Sequence, residues 1–264
     1  MSATTSAPSR RGIGWRALGA VGFLTVLPLP TRAHGMPTGV TLACFGPVGL
    51  LLGGAVAGVE VALAPVLPVA ARSAVLLGVL AAMCGAMHLD GLMDSADGVF
   101  LPIGARDRGD SPQASERRLE VMRDSRVGAY GVAAALLVVL VQYAALSAVT
   151  GRRALAIIAA VGLSRAASAL ALGLARPARD EGLASVYAVS GRRVAGVATF
   201  AVVAAAAVLL SGWRGAAAGG VAVLVVAVVI AVFARRAGGM TGDGFGAVVE
   251  LTLAGALLCL AAQR

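Results

Sequence analysis

The stretch that decides the fold is "AVLLGVLAAMCGAMHLDGLMDSADG", residues 74–98, in which an apolar run ends in three aspartates. Its first half has the composition of a helix inside a membrane, whereas its second half places Asp90, Asp94 and Asp97 within eight positions. Charge is costly where an apolar segment meets a bilayer, so this concentration of acids needs a physical reason.

The chain as a whole has the composition of an integral membrane protein. Its 264 residues are 59% hydrophobic and 13% charged, with a mean hydropathy of +0.88, whereas soluble domains carry about a quarter charged residues. Aromatic residues make up only 4%, and the apolar runs lack the alternation of a β-barrel. The sequence therefore predicts an all-α polytopic helical bundle that packs through small residues.

Apolar runs of about twenty residues, the length of a membrane-spanning helix, recur along the chain. Seven spans are predicted, at 40–66, 73–97, 127–149, 154–175, 194–212, 215–234 and 246–262. The short, proline-ended run at 15–30 predicts an interfacial or re-entrant helix. Residues 1–12 are expected to form a disordered tail, and residues 13–264 a single membrane-embedded domain.

The connections between these runs alternate between long and short. The long ones are 28–39, 98–126, 176–193 and 235–245, and the short ones lie near 67–72, 150–153 and 212–214. Two spans separate successive long connections, so all of them are predicted at one end. Thirteen arginines fall in long connections and four in short ones, which by the positive-inside bias predicts a multi-pass membrane protein with its long connections in the cytoplasm.

All the basic residues are arginines, because the sequence contains no lysine. This excludes a P-loop lysine, a Schiff-base lysine and a lysine general base, whereas arginine suits bidentate binding of phosphate. We interpret the net charge of +9 as a topology signal and not as nucleic-acid binding. The cysteines lie singly in apolar runs, without metal or disulfide spacing.

On a continuous helix, Asp90, Asp94 and Asp97 would share one face within roughly 60°. Like charges in such a stripe repel one another, and burial near the membrane adds to the cost. The alternative to a metal site is a capping or solvated interfacial stripe. A divalent cation with oxygen ligands fits better, and Mg²⁺ is usual where phosphates are co-ligands. His88 points away from Asp90, and we expect it to pack or hydrogen-bond in preference to carrying a proton.

A second cluster, "RRLEVMRDSRVGAYG" at 117–131, mixes acids with arginines. Glu120 and Asp124 stand four residues apart, with Arg123 and Arg126 beside them. The alternative is a salt-bridged amphipathic helix end, but acids for a metal and arginines for anions are what phosphoryl transfer requires.

Two further segments complete the pattern. "RPARDEGLASVYAVSGRR" at 176–193 offers Arg176 and Arg179, which either bind phosphate or only set topology. "GGMTGDGFGAVVE" at 238–250 resembles an anion-binding nest or a tight helix entry around Asp243. Glu250 lies inside the last span, where an acid needs a partner. Glu60 is assigned no role.

Seven of the thirteen acids thus lie at membrane-entry points of one predicted side. They are Asp90, Asp94, Asp97, Glu120, Asp124, Asp243 and Glu250. Together with the arginines, they indicate a metal-dependent enzyme acting on phosphate or pyrophosphate at the cytoplasmic face.

These motifs resemble those of the cobalamin synthase family, the adenosylcobinamide-GDP ribazoletransferases. The resemblance rests on "HLDGLMDSADG", "MRDSRVGAYG", "RPARDEGL" and "GGMTGDGFGA", with a similar early "FLTVLPLP", and covers about residues 20–250. It implies that α-ribazole, or its 5′-phosphate, attacks the pyrophosphate of adenosylcobinamide-GDP, releasing GMP and forming adenosylcobalamin or its 5′-phosphate. It also implies Mg²⁺ dependence and a multi-pass location in the lipid bilayer of the inner membrane, and homo-oligomerisation is left open.

This implied chemistry gives each candidate residue a role. Asp90, Asp94, Asp97 and Asp124 are expected to hold Mg²⁺ against the pyrophosphate, with Asp97 or Asp124 also acting as general base. The substrate-binding candidates are Arg123, Arg126, Arg176, Asp243, Glu120 and His88.

Two alternatives remain. One is a CDP-alcohol phosphotransferase-like enzyme, although the second half of that family's motif, G-x3-D-x3-D, does not follow Asp90-Gly91. The other is a cation-coupled transporter, for which in-membrane acids and glycine-broken helices would be suitable.

Overall fold

The computed structural model describes residues 13–30, 37–100, 111–124, 126–180 and 182–262. Over these ranges the chain is helical, with one isolated parallel bridge between Pro177 and Met240. The all-α prediction is confirmed. The predicted tail 1–12 lies outside the described residues, as do Arg32, Arg106 and Arg108.

Twelve helices make up the described part of the chain. They are α1 Ile13–Leu24, α2 Gly39–Ala43, α3 Phe45–Leu63, α4 Val69–Met83, α5 Met87–Val99, α6 Pro112–Val121, α7 Ala129–Ala148, α8 Arg153–Leu174, α9 Leu183–Val186, α10 Arg192–Ser211, α11 Trp213–Arg236 and α12 Gly242–Ala261. Among these residues, α2 with α3, and each of α7, α8, α10, α11 and α12, give six segments long and apolar enough to cross a membrane, and α4 with α5 would make seven.

The central helix is α8, which is buried along almost its whole length. It packs against α3, α10 and α12. Glycines on α3 allow the closest approach: a Cβ added at Gly49 would lie 2.8 Å from the Cβ of Arg165, and one at Gly53 would lie 2.8 Å from the Cα of Ile158. Close packing through small residues is therefore confirmed.

The predicted span 73–97 is not one continuous helix, and in this respect the sequence interpretation was wrong. Helix α4 ends at Met83, and α5 leaves it at 89°. The chain turns through two left-handed residues, Gly85 (φ 60°) and Ala86 (φ 54°), a conformation that glycine adopts without steric cost. At 15 residues, α4 is roughly 22 Å long, which is shorter than a bilayer core of about 30 Å.

The segment after α1 supports this bend. The amide of Val26 donates to the carbonyl of Met83 at 3.0 Å, and the Val26 side chain occupies the space that a Cβ at Gly85 would need. Helix α1 itself has 12 residues, about 18 Å, so it is too short to span a bilayer. A short amino-terminal helix that does not span was predicted.

The long connections meet at one end of the bundle, here called the long-loop end. Met240 and the segment 176–178 exchange two backbone hydrogen bonds, Met240 N to Arg176 O (2.8 Å) and Ala178 N to Met240 O (2.9 Å). Arg118 donates to the carbonyl of Arg236 at 3.0 Å. The predicted grouping of the 98–126, 176–193 and 235–245 connections is confirmed for their described residues.

The short connections meet at the opposite, short-loop end, around a buried acid. Glu60 is only 4% exposed and pairs with Arg153 at 2.8 Å and with Arg72 at 3.1 Å. Arg153 also donates to Ser73 Oγ at 2.7 Å and to the carbonyl of Leu146. Glu60, which was assigned no role from the sequence, therefore connects the ends of α3, α4, α7 and α8 through its arginine partners.

Candidate active site

The predicted aspartate stripe lies on α5 at the long-loop end. Helix α5 crosses α12 closely, because a Cβ at Gly91 would come 2.9 Å from the carbonyl oxygen of Asp243 and 3.3 Å from the Cα of Gly246. This crossing brings Asp243 to the stripe, and the charges of Asp90, Asp243 and Asp97 all act on Asp94. A helix–helix contact made possible by two glycines thus gathers acids from distant parts of the sequence.

These acids have little to neutralise them. Asp90 is exposed, and Asp94 and Asp243 are partly buried. Within the described ranges, none of the three forms an ion pair with an arginine. Asp243 accepts a hydrogen bond from the hydroxyl of Thr241 at 3.2 Å, and Thr241 caps the amino terminus of α12. The mutual repulsion of these carboxylates favours the binding of a cation.

Asp97 has a different environment from the other two stripe residues. The residue is 8% exposed, and its carboxylate accepts hydrogen bonds from the amides of Gly128 (2.8 Å) and Gly131 (2.9 Å). Gly128 is the N-cap of α7, so Asp97 satisfies free amides at the positive end of that helix. A Cβ on either glycine would collide with the carboxylate, which explains the two glycines of "GAYG".

Asp124 lies outside the acid cluster and is bonded to its neighbour. Arg126 donates to both its carboxylate oxygens, the shortest contact being 2.6 Å. These bonds lower the pKa of Asp124 to about 2, and the Arg126 side chain is 88% exposed. Glu120 is also exposed, and because α6 ends at Val121, the four-residue spacing of Glu120 and Asp124 does not place them on one helix face.

A small cavity of about 100 Å³ adjoins the acid cluster. Arg123, Arg179, Thr241 and Asp243 contribute to its lining, and Arg179 is held by a 2.7 Å hydrogen bond to the carbonyl of Leu119. Burial, and then the nearby charge of Arg123, lower the pKa of Arg179. A phosphate between the two guanidinium groups would relieve their repulsion.

The two arginines of the 176–180 segment differ in position. Arg179 lines this cavity, whereas the Arg176 side chain is exposed. The backbone carbonyl of Arg176 accepts a hydrogen bond from the Met240 amide. Arg176 was the candidate chosen from the sequence. The spacing of the two arginines gave no reason to prefer Arg179, since only the turn after α8 decides which one faces the cavity.

The arrangement fits a cation that is completed by substrate. Among the described residues, no group of three or more His, Cys, Asp or Glu side chains converges on one point. Mg²⁺ is usually held by one or two carboxylates together with substrate phosphates and water, and Asp90 and Asp94 fit that description. Asp97 and Asp124, the other two predicted ligands, are engaged with backbone amides and with Arg126, so their role at a metal stays a prediction.

A second polar group, formed by His88 and Arg165, lies behind α5. Of these two residues, only His88 was a candidate from the sequence. His88 is 6% exposed and Arg165, in the middle of α8, is 1% exposed. Arg165 donates to Ser164 Oγ (2.8 Å) and Cys84 Sγ (3.3 Å). The signal for Arg165 was present in the sequence, since a charge inside the 154–175 run is itself unusual. Glu250, which was expected to need a partner, accepts a hydrogen bond from Gln142 Nε2 at 2.7 Å.

The fold and this site define a polytopic helical membrane protein with an acidic, arginine-lined site at one end. The chain belongs to the cobalamin-5-phosphate synthase family, whose model matches residues 16–261. Proteins named adenosylcobinamide-GDP ribazoletransferase from Shigella boydii serotype 4 and Escherichia coli O127:H6 are each 38% identical to it over 241 residues, covering 87% of this chain and 92% of theirs. No solved structure matches this chain.

Proposed function

We propose that this protein transfers the adenosylcobinamide-phosphate group of adenosylcobinamide-GDP to α-ribazole or α-ribazole 5′-phosphate, forming adenosylcobalamin or its 5′-phosphate and GMP. Family membership and the names of its relatives support this reaction. The structural observation that carries it is the position of Asp243. This residue belongs both to the acid cluster with Asp94 and to the cavity lined by Arg123 and Arg179.

Such a site suits attack on a pyrophosphate. The acceptor hydroxyl bonds to the phosphorus that carries the cobinamide ester, the anhydride bond breaks, and GMP leaves with its electrons. Arg123 and Arg179 bind phosphate oxygens and neutralise charge that grows on the leaving group. Asp90 and Asp94 are the residues that would hold Mg²⁺, which when bound supplies further neutralisation of the pyrophosphate.

The proton of the attacking hydroxyl needs a carboxylate acceptor. Asp97 is bonded through both oxygens to backbone amides, and Asp124 is paired with Arg126. The acid cluster offers better candidates, and we place this role on Asp90 or Asp94. Asp97 then acts as a positioning residue that fixes α7 against α5.

We propose that the site faces the cytoplasm from the inner membrane, an orientation that the arginine bias supports. Thirteen arginines lie in the long connections and four in the short ones, and this count supports the orientation.

Purified protein in nanodiscs, incubated with adenosylcobinamide-GDP, α-ribazole and Mg²⁺, tests the proposal. We expect GMP and an adenosylcobalamin product in equal amounts, and loss of both when EDTA replaces Mg²⁺. Absence of GMP would contradict the proposed reaction. Turnover of a CDP-alcohol substrate, or acid-dependent cation flux in proteoliposomes, would instead favour one of the two alternatives.

A further inference from the structure

A cavity of about 340 Å³ lies beneath the first turn of α5, between α4 and α7, with α8 and α12 behind it. Its wall is mostly apolar and includes Leu77, Leu80, Leu140 and Leu253. Ligand pockets begin at roughly 300 Å³ and combine such walls with a few polar groups. The acid cluster and the arginine-lined cavity make no use of this space.

Arg165 gives the cavity a hydrogen-bond donor that lacks an acceptor. Its side chain lines the cavity and is 1% exposed. One terminal nitrogen donates to Ser164 and the other to Cys84 Sγ, a weak acceptor. Its Nε has no hydrogen-bond partner among the described residues. An unsatisfied buried donor of a charged group is costly, so a ligand atom that accepts a hydrogen bond would be stabilised here.

Two of the remaining polar residues are bonded to each other, and His88 and Tyr143 also line the cavity. Glu250 lines it and accepts from Gln142 Nε2 at 2.7 Å, so its carboxylate is fixed by another wall residue. Glu250 and Arg165 are not within ion-pair distance in the described structure. The cavity thus holds a separate donor and acceptor around an apolar space.

The cavity is connected to the acid cluster along α12. Glu250 lines the cavity, and Asp243 of the acid cluster stands seven residues before it on the same helix. Residues seven apart lie on the same side of a helix, about 10 Å along its axis. A ligand that fills the cavity and extends by two helical turns along α12 therefore reaches the level of Asp243.

We propose that this cavity receives the benzimidazole base of the α-ribazole acceptor, an assignment that rests on the proposed function. The base is planar and apolar, with one ring nitrogen free to accept a hydrogen bond from Arg165, and the attached ribose carries the reacting hydroxyl along α12 towards Asp243 and the acid cluster. A lipid acyl chain would match the apolar wall but offers no acceptor to Arg165.

A pair of glycine variants tests the assignment. Gly78 lines the cavity, and a Cβ added there meets no atom within 4 Å, so Gly78→Leu fills the space without a backbone clash. Gly220→Leu on α11 is the matched control, because its Cβ also meets open space. We expect the KM for α-ribazole to rise about tenfold in Gly78→Leu, with the KM for adenosylcobinamide-GDP unchanged, and neither constant to change in Gly220→Leu.

Direct binding provides a second measurement. 5,6-Dimethylbenzimidazole alone should bind the wild-type protein in nanodiscs by calorimetry and compete with α-ribazole, and Gly78→Leu should abolish this binding. An unchanged KM for α-ribazole in Gly78→Leu would overturn the assignment, as would a cavity that retains lipid which the base does not displace. If the wild type releases no GMP, both the proposed function and the cavity assignment fail. Turnover by the wild type with no effect of Gly78→Leu removes only the cavity assignment.

Discussion

The two ends of the bundle handle charge in opposite ways. At the short-loop end, Glu60 lies buried between Arg72 and Arg153, so opposite charges meet and cancel. At the long-loop end, Asp90, Asp94 and Asp243 gather with like charge and partial exposure, beside two arginines that also repel each other. Paired charges hold helices in place, whereas clusters of like charge are stabilised only by what they bind.

The largest expected effect follows from breaking the acid cluster. Asp94→Asn removes a carboxylate that we place against the pyrophosphate, and kcat for GMP release should fall by about 10³, or roughly 4 kcal/mol of barrier. The melting temperature should stay the same or rise, since like-charge repulsion decreases. Asp180→Asn, at an exposed loop acid, is the control and should keep wild-type kcat. A fully active Asp94→Asn enzyme would refute the assignment.

Breaking the paired end should damage stability and leave chemistry intact. Glu60→Ala leaves two largely buried arginines uncompensated, and we expect the free energy of unfolding in detergent to fall by about 3 kcal/mol. The KM values of the protein that remains folded should not change. Arg152→Ala, at the exposed neighbour of Arg153, serves as control. Loss of kcat without loss of stability would show that the two ends are not separate in function.

Variants of Asp97 distinguish a structural role for its carboxylate from a role as general base. Asp97→Asn removes the charge that accepts the Gly128 and Gly131 amides, so we expect about 2 kcal/mol of lost stability together with a partial loss of kcat. Gly131→Ala should reproduce both effects, because its Cβ would collide with the carboxylate. If Asp97 were the general base, Asp97→Asn would abolish kcat at unchanged stability, and Gly131→Ala would not reproduce that pattern.

A smaller effect separates Arg179 from Arg176. Arg179→Ala should raise the KM for adenosylcobinamide-GDP about tenfold, equivalent to about 1.4 kcal/mol, because it removes a donor from the cavity beside Asp243. Arg176→Ala, at an exposed side chain, should change that KM by less than about twofold on the same scale. The reverse order would support the choice made from the sequence. Initial rates of GMP release at varied nucleotide concentration decide between them.

The smallest effect concerns Asp124. Its pKa of about 2 lies below the ordinary aspartate value because Arg126 hydrogen-bonds the charged form, so any stabilisation from this pair is present above about pH 3.9. It is lost only as the pH falls through about 2. Asp124→Asn should therefore leave the acid limb of the kcat/KM profile in place. If the acid limb of the kcat/KM profile disappears in Asp124→Asn, Asp124 is again a candidate general base.

Much of this could be predicted from the chain because membranes impose simple rules. Span length, small-residue packing and the alternation of long and short connections were visible in the apolar runs. The bend at Gly85–Ala86 was not, since its residues are as apolar as their neighbours and only the Val26–Met83 contact shows where the helix ends. The disordered tail, the single-domain assignment and the Mg²⁺ ligands remain predictions.

By itself, the sequence determined that this is a helical membrane protein with acids and arginines concentrated at one end, because hydropathy and charge are properties of residues. The tertiary structure decided which charges share a site. Asp243 joins Asp94 only where Gly91 and Gly246 let two helices cross, and Asp97 became the cap of α7 instead of a free carboxylate. Spacing places a side chain on a face, but what it meets there depends on the packing of helices far apart in the chain.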